Sequence, residues 1–213
     1  MRALIVRGGA EFHEPVATTE SFRPFLAAAG FDIDVAEDLD VYRDASLLAA
    51  TDLIVQCWTS GDLTPEQSAG LRAAVEAGTG FAGWHGGIVA AFPDRLYQQM
   101  TGGAFLGHPG DFVRHELTVV SDHPIVAGID RVALDTERYW VLTDAANEVH
   151  ATITFPAGPP WGRAVTFPAV WTRSWGAGRV FVSTVGHHQP DLDVPDIRRL
   201  TERGLLWAAG QRL

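Results

Sequence analysis

Short apolar runs recur along the first half of the chain, each followed by a glycine or polar cluster and then a segment with helical spacing. Ala3-Leu4-Ile5-Val6 runs into Gly8-Gly9, as a strand buried on both faces does. In Thr18–Ala29 the residues Phe22, Phe25, Leu26 and Ala29 repeat at helical spacing, and Gly30 ends the helix. Phe31–Val35 alternates like a half-exposed strand, and Leu53–Cys57 is a third strand. Thr64-Pro65-Glu66-Gln67 supplies an N-cap, a first-turn proline and a capping-box partner for a helix through Ala77. The next run, Thr79–Gly83, leads into Gly83-Trp84-His85-Gly86-Gly87 and the short helical segment Ile88–Phe92. Strands alternating with helices predict a doubly wound parallel sheet.

The pattern changes after Gly102-Gly103. Val113–Val120, Arg138–Leu142, His150–Phe155 and Ala169–Arg173 are short strand-like runs with few helical patterns between them. They predict an antiparallel extension, with Ala157–Gly162 as a Pro/Gly loop at its edge. A buried strand, Arg179–Val185, and a final helix, Pro195–Ala209, follow. The expected fold class is α/β, a mostly parallel sheet with helices on both faces and an antiparallel β extension, all in one domain over residues 1–213.

Composition narrows the function classes. A net charge of -10 and a pI near 5.1 argue against nucleic acid or an anionic membrane as partner. Every basic residue is arginine, so Schiff-base chemistry and a Walker-type phosphate loop are excluded. The single cysteine, Cys57, cannot form an internal disulfide or a CxxC zinc site. A strand from the first residues predicts no leader, and the apolar runs are shorter than a membrane span, so the expected location is cytoplasmic.

Ligands of open parallel sheets bind beyond the carboxyl ends of the strands. Four runs end there in polar or aromatic clusters: Phe12-His13-Glu14, Trp58-Thr59-Ser60-Gly61, Trp84-His85 and Gly186-His187-His188. His85 is the strongest candidate, because glycines beside a residue between strand and helix mark a turn that something approaches closely. The turn resembles a nucleophile elbow, yet imidazole suits metal binding or proton transfer better. Of His187 and His188 only one faces the site, and His187, next to Gly186, is favoured. His108, in a glycine-rich loop, and His13 are further candidates, and Glu137 is an acid between apolar neighbours. His115, His123 and His150 read as structural, and Cys57 as a small buried hydrophobe.

These pieces, in order, resemble the trehalose-utilisation (ThuA-like) family of the class I glutamine amidotransferase-like superfamily. The resemblance rests on Phe12-His13, Gly83–Gly87, Gly102–Pro109, Asp122-His123-Pro124-Ile125 with Gly128, and Glu137-Arg138-Tyr139. It continues through Pro168–Arg173, Gly176–Val180, Gly186-His187 and Trp207–Gly210, nearly the whole chain. It implies a flavodoxin-like α/β fold. On the amidotransferase pattern His85 falls where the nucleophilic cysteine stands, His187 near the triad histidine, and Asp191 loosely where an acid follows. Imidazole at that position cannot readily carry glutaminase chemistry. Two features depart from the family: Thr136 separates Asp135 from Glu137, and His188 is an additional histidine.

The resemblance implies carbohydrate use, of trehalose or related keto-sugars, and a divalent metal. His85, His187 and Glu137 are the expected catalytic residues, and His85, His187 and His108, with His13 as the alternative to His108, the expected metal ligands, with zinc, nickel, manganese or iron all suited. His13, Trp58, Trp84 and His108 are expected to bind substrate, with Trp171 as another apolar face for a sugar ring. Isomerisation through an enediolate and hydrolysis both fit such a site. A binding module that has lost its chemistry is the competing class. Exposed aromatics at Arg138-Tyr139-Trp140 and Pro160-Trp161 predict a homo-oligomer.

Overall fold

The computed structural model describes residues 1–213. The chain opens with β1 (Arg2–Gly9), α1 (Pro15–Ala28), β2 (Asp32–Ala36), α2 (Ala45–Ala49), β3 (Leu53–Thr59) and α3 (Pro65–Ala77). Then come β4 (Gly80–Trp84), the one-turn α4 (Gly86–Val89), α5 (Arg95–Thr101), β5 (Gly103–Gly107) and β6 (Phe112–Val119). It continues with β7 (Arg131–Glu137), β8 (Trp140–Thr143), β9 (Glu148–Phe155) and β10 (Val165–Trp175). The last elements are β11 (Gly178–Ser183), α6 (Gln189–Asp193) and α7 (Pro195–Ala208).

One nine-stranded sheet has the order β2-β1-β3-β4-β11-β10-β9-β6-β7, and β5 and β8 form a separate antiparallel pair. Its first five strands are parallel, and with β11 as the fifth they follow the flavodoxin-like order. From β11 through β7 every pairing is antiparallel. The expected fold class is therefore observed.

The alternation along β1 shows how the layers form. Ala3 and Ile5 join Phe22 and Leu26 of α1 and Ile197, Leu200 and Leu205 of α7 in one core. Leu4 and Val6 point the other way, to Leu71 and Val75 of α3 and to Tyr97 and Met100 of α5. Thr64 and Gln67 form the expected capping box at the start of α3, each side chain bonding the other's backbone N–H. No helix is long and apolar enough to cross a membrane.

The second half departs from expectation in detail. Gly103–Gly107, read as part of a glycine-rich loop, is β5, paired with β8. The strand expected from Arg138 begins only at Trp140, and an additional strand, β7, precedes it. The loop expected over Ala157–Gly162 joins the neighbouring strands β9 and β10. The aromatics expected to be exposed are not. Tyr139 is buried, and Trp140 and Trp161 pack against each other at 5.2 Å.

His150 is the buried structural histidine that the sequence suggests. Its Nδ1 meets the Ser121 hydroxyl at 3.0 Å and its Nε2 the Thr172 hydroxyl at 2.8 Å. Burial lowers its pKa from 6.5 to about 4, so the folded state keeps it neutral while the unfolded chain protonates it. Stability is then full above pH 6.5 and falls as the pH drops toward 4, by about 1.4 kcal/mol per unit from this residue. Urea unfolding across that window is expected to lose this share of its pH slope in His150→Gln. A variant with the wild-type slope would show that His150 carries no such penalty.

Candidate functional site

His85 lies just beyond β4, with φ 48° and ψ -141°, a left-handed conformation rare outside glycine. Two bonds to the end of β11 hold it there. Its backbone N–H donates to the Ser183 carbonyl at 2.7 Å, and Nδ1 donates to the Thr184 carbonyl at 2.8 Å. Because a carbonyl can only accept, the proton sits on Nδ1 and Nε2 presents its lone pair.

The flanking glycines are explained by close approaches. A Cβ on Gly86 would stand 2.4 Å from Cε1 and 2.6 Å from Nδ1 of His13. On Gly87 it would stand 2.9 Å from the Cys57 Cα, and on Gly83 2.4 Å from the Gln56 carbonyl oxygen. Cys57 thus lies behind the turn, buried, with its thiol pushed up to about 12 by burial.

Three groups gather around His85 Nε2. Glu137 Oε2, from the end of β7, is 3.1 Å from Nε2, and His187 Nδ1, after β11, is 3.2 Å away. His187 Nδ1 and Glu137 Oε2 are 3.0 Å apart. Tyr139, stacked on the His85 ring at 4.0 Å, donates its hydroxyl to Nε2 at 2.7 Å. His13 stands edge-on to both His85 and His187, at 4.8 and 4.7 Å between ring centroids. Its Nδ1 shares a 2.9 Å hydrogen bond with the Thr59 hydroxyl. His13, His85, Glu137 and His187 are all buried, and each offers a ligand atom within 4.8 Å of the others'.

Burial lowers the pKa of His85 and takes that of His13 down to about 3, so both rings are neutral near neutral pH. Burial opposes ionisation of Glu137, but the hydrogen bond donated by His187 outweighs it and holds the carboxyl well below the usual carboxylate range. Burial keeps the Tyr139 phenol protonated far above its ordinary range. Imidazoles around one carboxylate make a donor set that can hold a divalent cation. The bond from His85 Nδ1 to a backbone carbonyl is the outer support that metal-binding histidines use.

A cavity of about 390 Å³ opens in front of His13, Glu137 and Tyr139, walled by Phe12, Phe92, Phe105, Ser60, Gln98 and His108. Phe12 is 64% exposed at its mouth. A larger groove of about 730 Å³, between α2 and α3, is lined mainly by small residues and by no histidine. A second trio, His123, Glu148 and His150, also brings ligand atoms within 4.8 Å. There both His150 nitrogens are engaged by hydroxyls, and His123 Nδ1 accepts the Ile125 backbone N–H.

Of the residues singled out in the sequence, His13, His85, Glu137 and His187 converge. His108, expected as a ligand, stands outside the four-donor group, half-exposed, with Nε2 3.6 Å from Glu137 Oε1, the oxygen turned away from His85. The geometry puts His13 among the donors in its place. Trp84, expected to meet substrate, is 1% exposed and packs on Phe22, because the residue before His85 points into the core. Trp171 is fully buried, with its indole N–H donated to the Thr101 carbonyl. Trp58 lies against Gly8 and Gly61 instead of lining the cavity.

Asp191 does not reach His187. It accepts the Thr136 hydroxyl at 2.8 Å and the His188 backbone N–H at 3.2 Å, tying the end of β7 to the start of α6. The His188 ring stacks on Phe112 at 5.7 Å. Sequence reasoning missed Tyr139 and Thr59. The signal for Tyr139 was its spacing, two residues from Glu137, which puts two extended-chain side chains on one side.

The chain matches the ThuA family, described as trehalose utilisation, over residues 2–208. A protein described as ThuA-like from Bacteroides uniformis ATCC 8492 has 20% identity and a TM-score of 0.78, covering 98% of this chain and 91% of its own. Another from Parabacteroides merdae ATCC 43184 has 17% identity and a TM-score of 0.76, with 99% and 91% covered. A cold-adapted beta-galactosidase from Rahnella sp. R3 shares the fold over 99% of this chain and 31% of its own, at 14% identity and a TM-score of 0.64. A comparison with curated proteins gives no match. At these identities the structural likenesses show the fold alone, while the family match spans nearly the whole sequence: the chain belongs to the ThuA family.

Proposed function

We propose that this protein is a divalent-cation-dependent enzyme of carbohydrate utilisation, acting on trehalose or a related keto-sugar. The observation that carries the reading is the meeting of His85 Nε2, Glu137 Oε2 and His187 Nδ1 within 3.2 Å, with His13 completing a buried donor set beside a cavity. The family description, trehalose utilisation, supports a carbohydrate substrate. His13, His85, Glu137 and His187 would hold the cation, with zinc, nickel, manganese and iron all suited to imidazole and carboxylate. Bound there, a divalent ion supplies Lewis-acid polarisation of a sugar oxygen.

The chain's own groups do the rest. Phe12, Phe92 and Phe105 exclude water and offer apolar faces to a sugar ring. Ser60 and Gln98 are the polar wall that orients hydroxyl groups. His108, facing Glu137 Oε1 at 3.6 Å and open to the cavity, is the group that moves a proton to or from substrate. Glutamine hydrolysis is not the reaction, since the only cysteine is buried behind Gly87.

Protein purified without chelators is expected to carry about one divalent ion per chain by elemental analysis. His85→Ala and His13→Ala should lose it, whereas His108→Ala should keep it and lose turnover. Failure of the wild-type protein to take up any of the four metals on titration would sink the reading. Metal uptake and sugar binding with no turnover of any sugar would point instead to a binding module.

Gly86→Ala tests the crowding directly. Its Cβ would fall 2.4 Å from the His13 ring, so His13 must move. Calorimetric metal affinity is expected to drop roughly 10- to 100-fold, as for loss of a ligand's support. Unchanged affinity would remove His13 from the donor set.

A further inference from the structure

The His85 lone pair has one donor assigned to it by elimination. His85 Nδ1 is committed to the Thr184 carbonyl, so Nε2 can only accept. Two donors reach it, the Tyr139 hydroxyl at 2.7 Å and His187 Nδ1 at 3.2 Å. His187 Nδ1 lies nearer to Glu137 Oε2, at 3.0 Å, and a carboxylate is the stronger acceptor. The His187 proton therefore goes to Glu137, and Tyr139 alone caps His85.

The Tyr139 ring has little room to move. It is stacked on His85 at 4.0 Å on one side and tilted against Phe105 at 4.4 Å. Yet the residue also borders the cavity. If its acceptor is lost, the ring stays and the hydroxyl proton turns about the C–O bond. The direction open to it is the cavity that the residue borders: its other neighbours are aromatic faces and the Glu137–His187 pair, which the hydroxyl does not bond.

We propose that Tyr139 is a cation-released hydrogen-bond donor: its hydroxyl caps the His85 lone pair while the pocket is free of cation, and turns to a sugar oxygen in the cavity once that lone pair is engaged. This rests on the cation reading above and extends it to a residue that is not itself a ligand. The arrangement couples loading to substrate recognition, since the donor faces the cavity only when the four ligands are occupied.

The test is titration of zinc alone into metal-free wild-type protein and Tyr139→Phe, followed by calorimetry and near-UV difference absorbance. Removing the competing cap should tighten zinc binding by roughly 2- to 10-fold, the net worth of one hydrogen bond. Zinc should also perturb the tyrosine band of the wild type and leave that of the variant flat, since Tyr42 and Tyr97 lie in the core away from the donors. The wild-type spectrum holds as a test even if the variant folds poorly. Equal zinc affinities, or a wild-type tyrosine band that ignores zinc, would overturn the inference and leave the cation reading standing. A wild type that takes up no zinc, nickel, manganese or iron overturns both.

Discussion

The hydrogen bond from His85 Nδ1 to the Thr184 carbonyl sets where every other group of the pocket must stand. It exists because β4 and β11 lie side by side in parallel, with Gly83 opposite Val182 and Trp84 opposite Ser183. One residue further, the chain at His85 has turned into a conformation that costs about 1–3 kcal/mol for a side chain with a Cβ. The backbone bond to Ser183 and the ring bond to Thr184 offset that cost together. Their combined effect is directional. The ring can present only Nε2 outward, and that atom is where Glu137, His187 and Tyr139 meet.

The two halves of the sheet contribute unequally. The parallel half supplies His13, Thr59, His85 and His187, all at carboxyl ends of adjacent strands, which is where such sheets gather their ligands. None of these strands carries a buried carboxylate into the pocket. The acid arrives from the antiparallel half, at the end of β7, the strand farthest from β2 in the sheet order. That distance in the sheet order explains the Asp191 link, which bonds Thr136 on β7 and the His188 backbone in one carboxylate.

The parallel half was legible because each strand is buried on both faces and reads as an apolar run, and because the helices between carry caps and stop signals. The elbow glycines were legible for the same reason: a missing Cβ leaves its mark in sequence before its cause is known. The antiparallel half was harder. β5 is rich in glycine and pairs only with β8, so its stability comes from a partner distant in sequence. Trp84 was misjudged because residue type suggested a sugar platform while strand alternation sent it to the core beside Phe22. The sequence leaves His108 and His13 as alternatives, since both follow glycine-containing segments at strand ends. Only the packing of the His13 ring over Gly86 tells them apart.

Glu137 joins the buried imidazoles to the wall of the cavity. Its two oxygens look in different directions, Oε2 into the buried imidazoles and Oε1 toward His108 at the cavity wall. A carboxylate buried alone would be costly, and no arginine is paired with it. The His187 N–H offsets that cost when no cation is bound, and a cation would offset it more strongly. The strained turn at His85 is held by bonds to two backbone carbonyls, which do not depend on a cation. A structural histidine would need neither the strain nor the buried acid. Their combination beside an open cavity is what separates this cluster from the pair at His123 and His150, where both His150 nitrogens and His123 Nδ1 already have a hydroxyl or backbone partner.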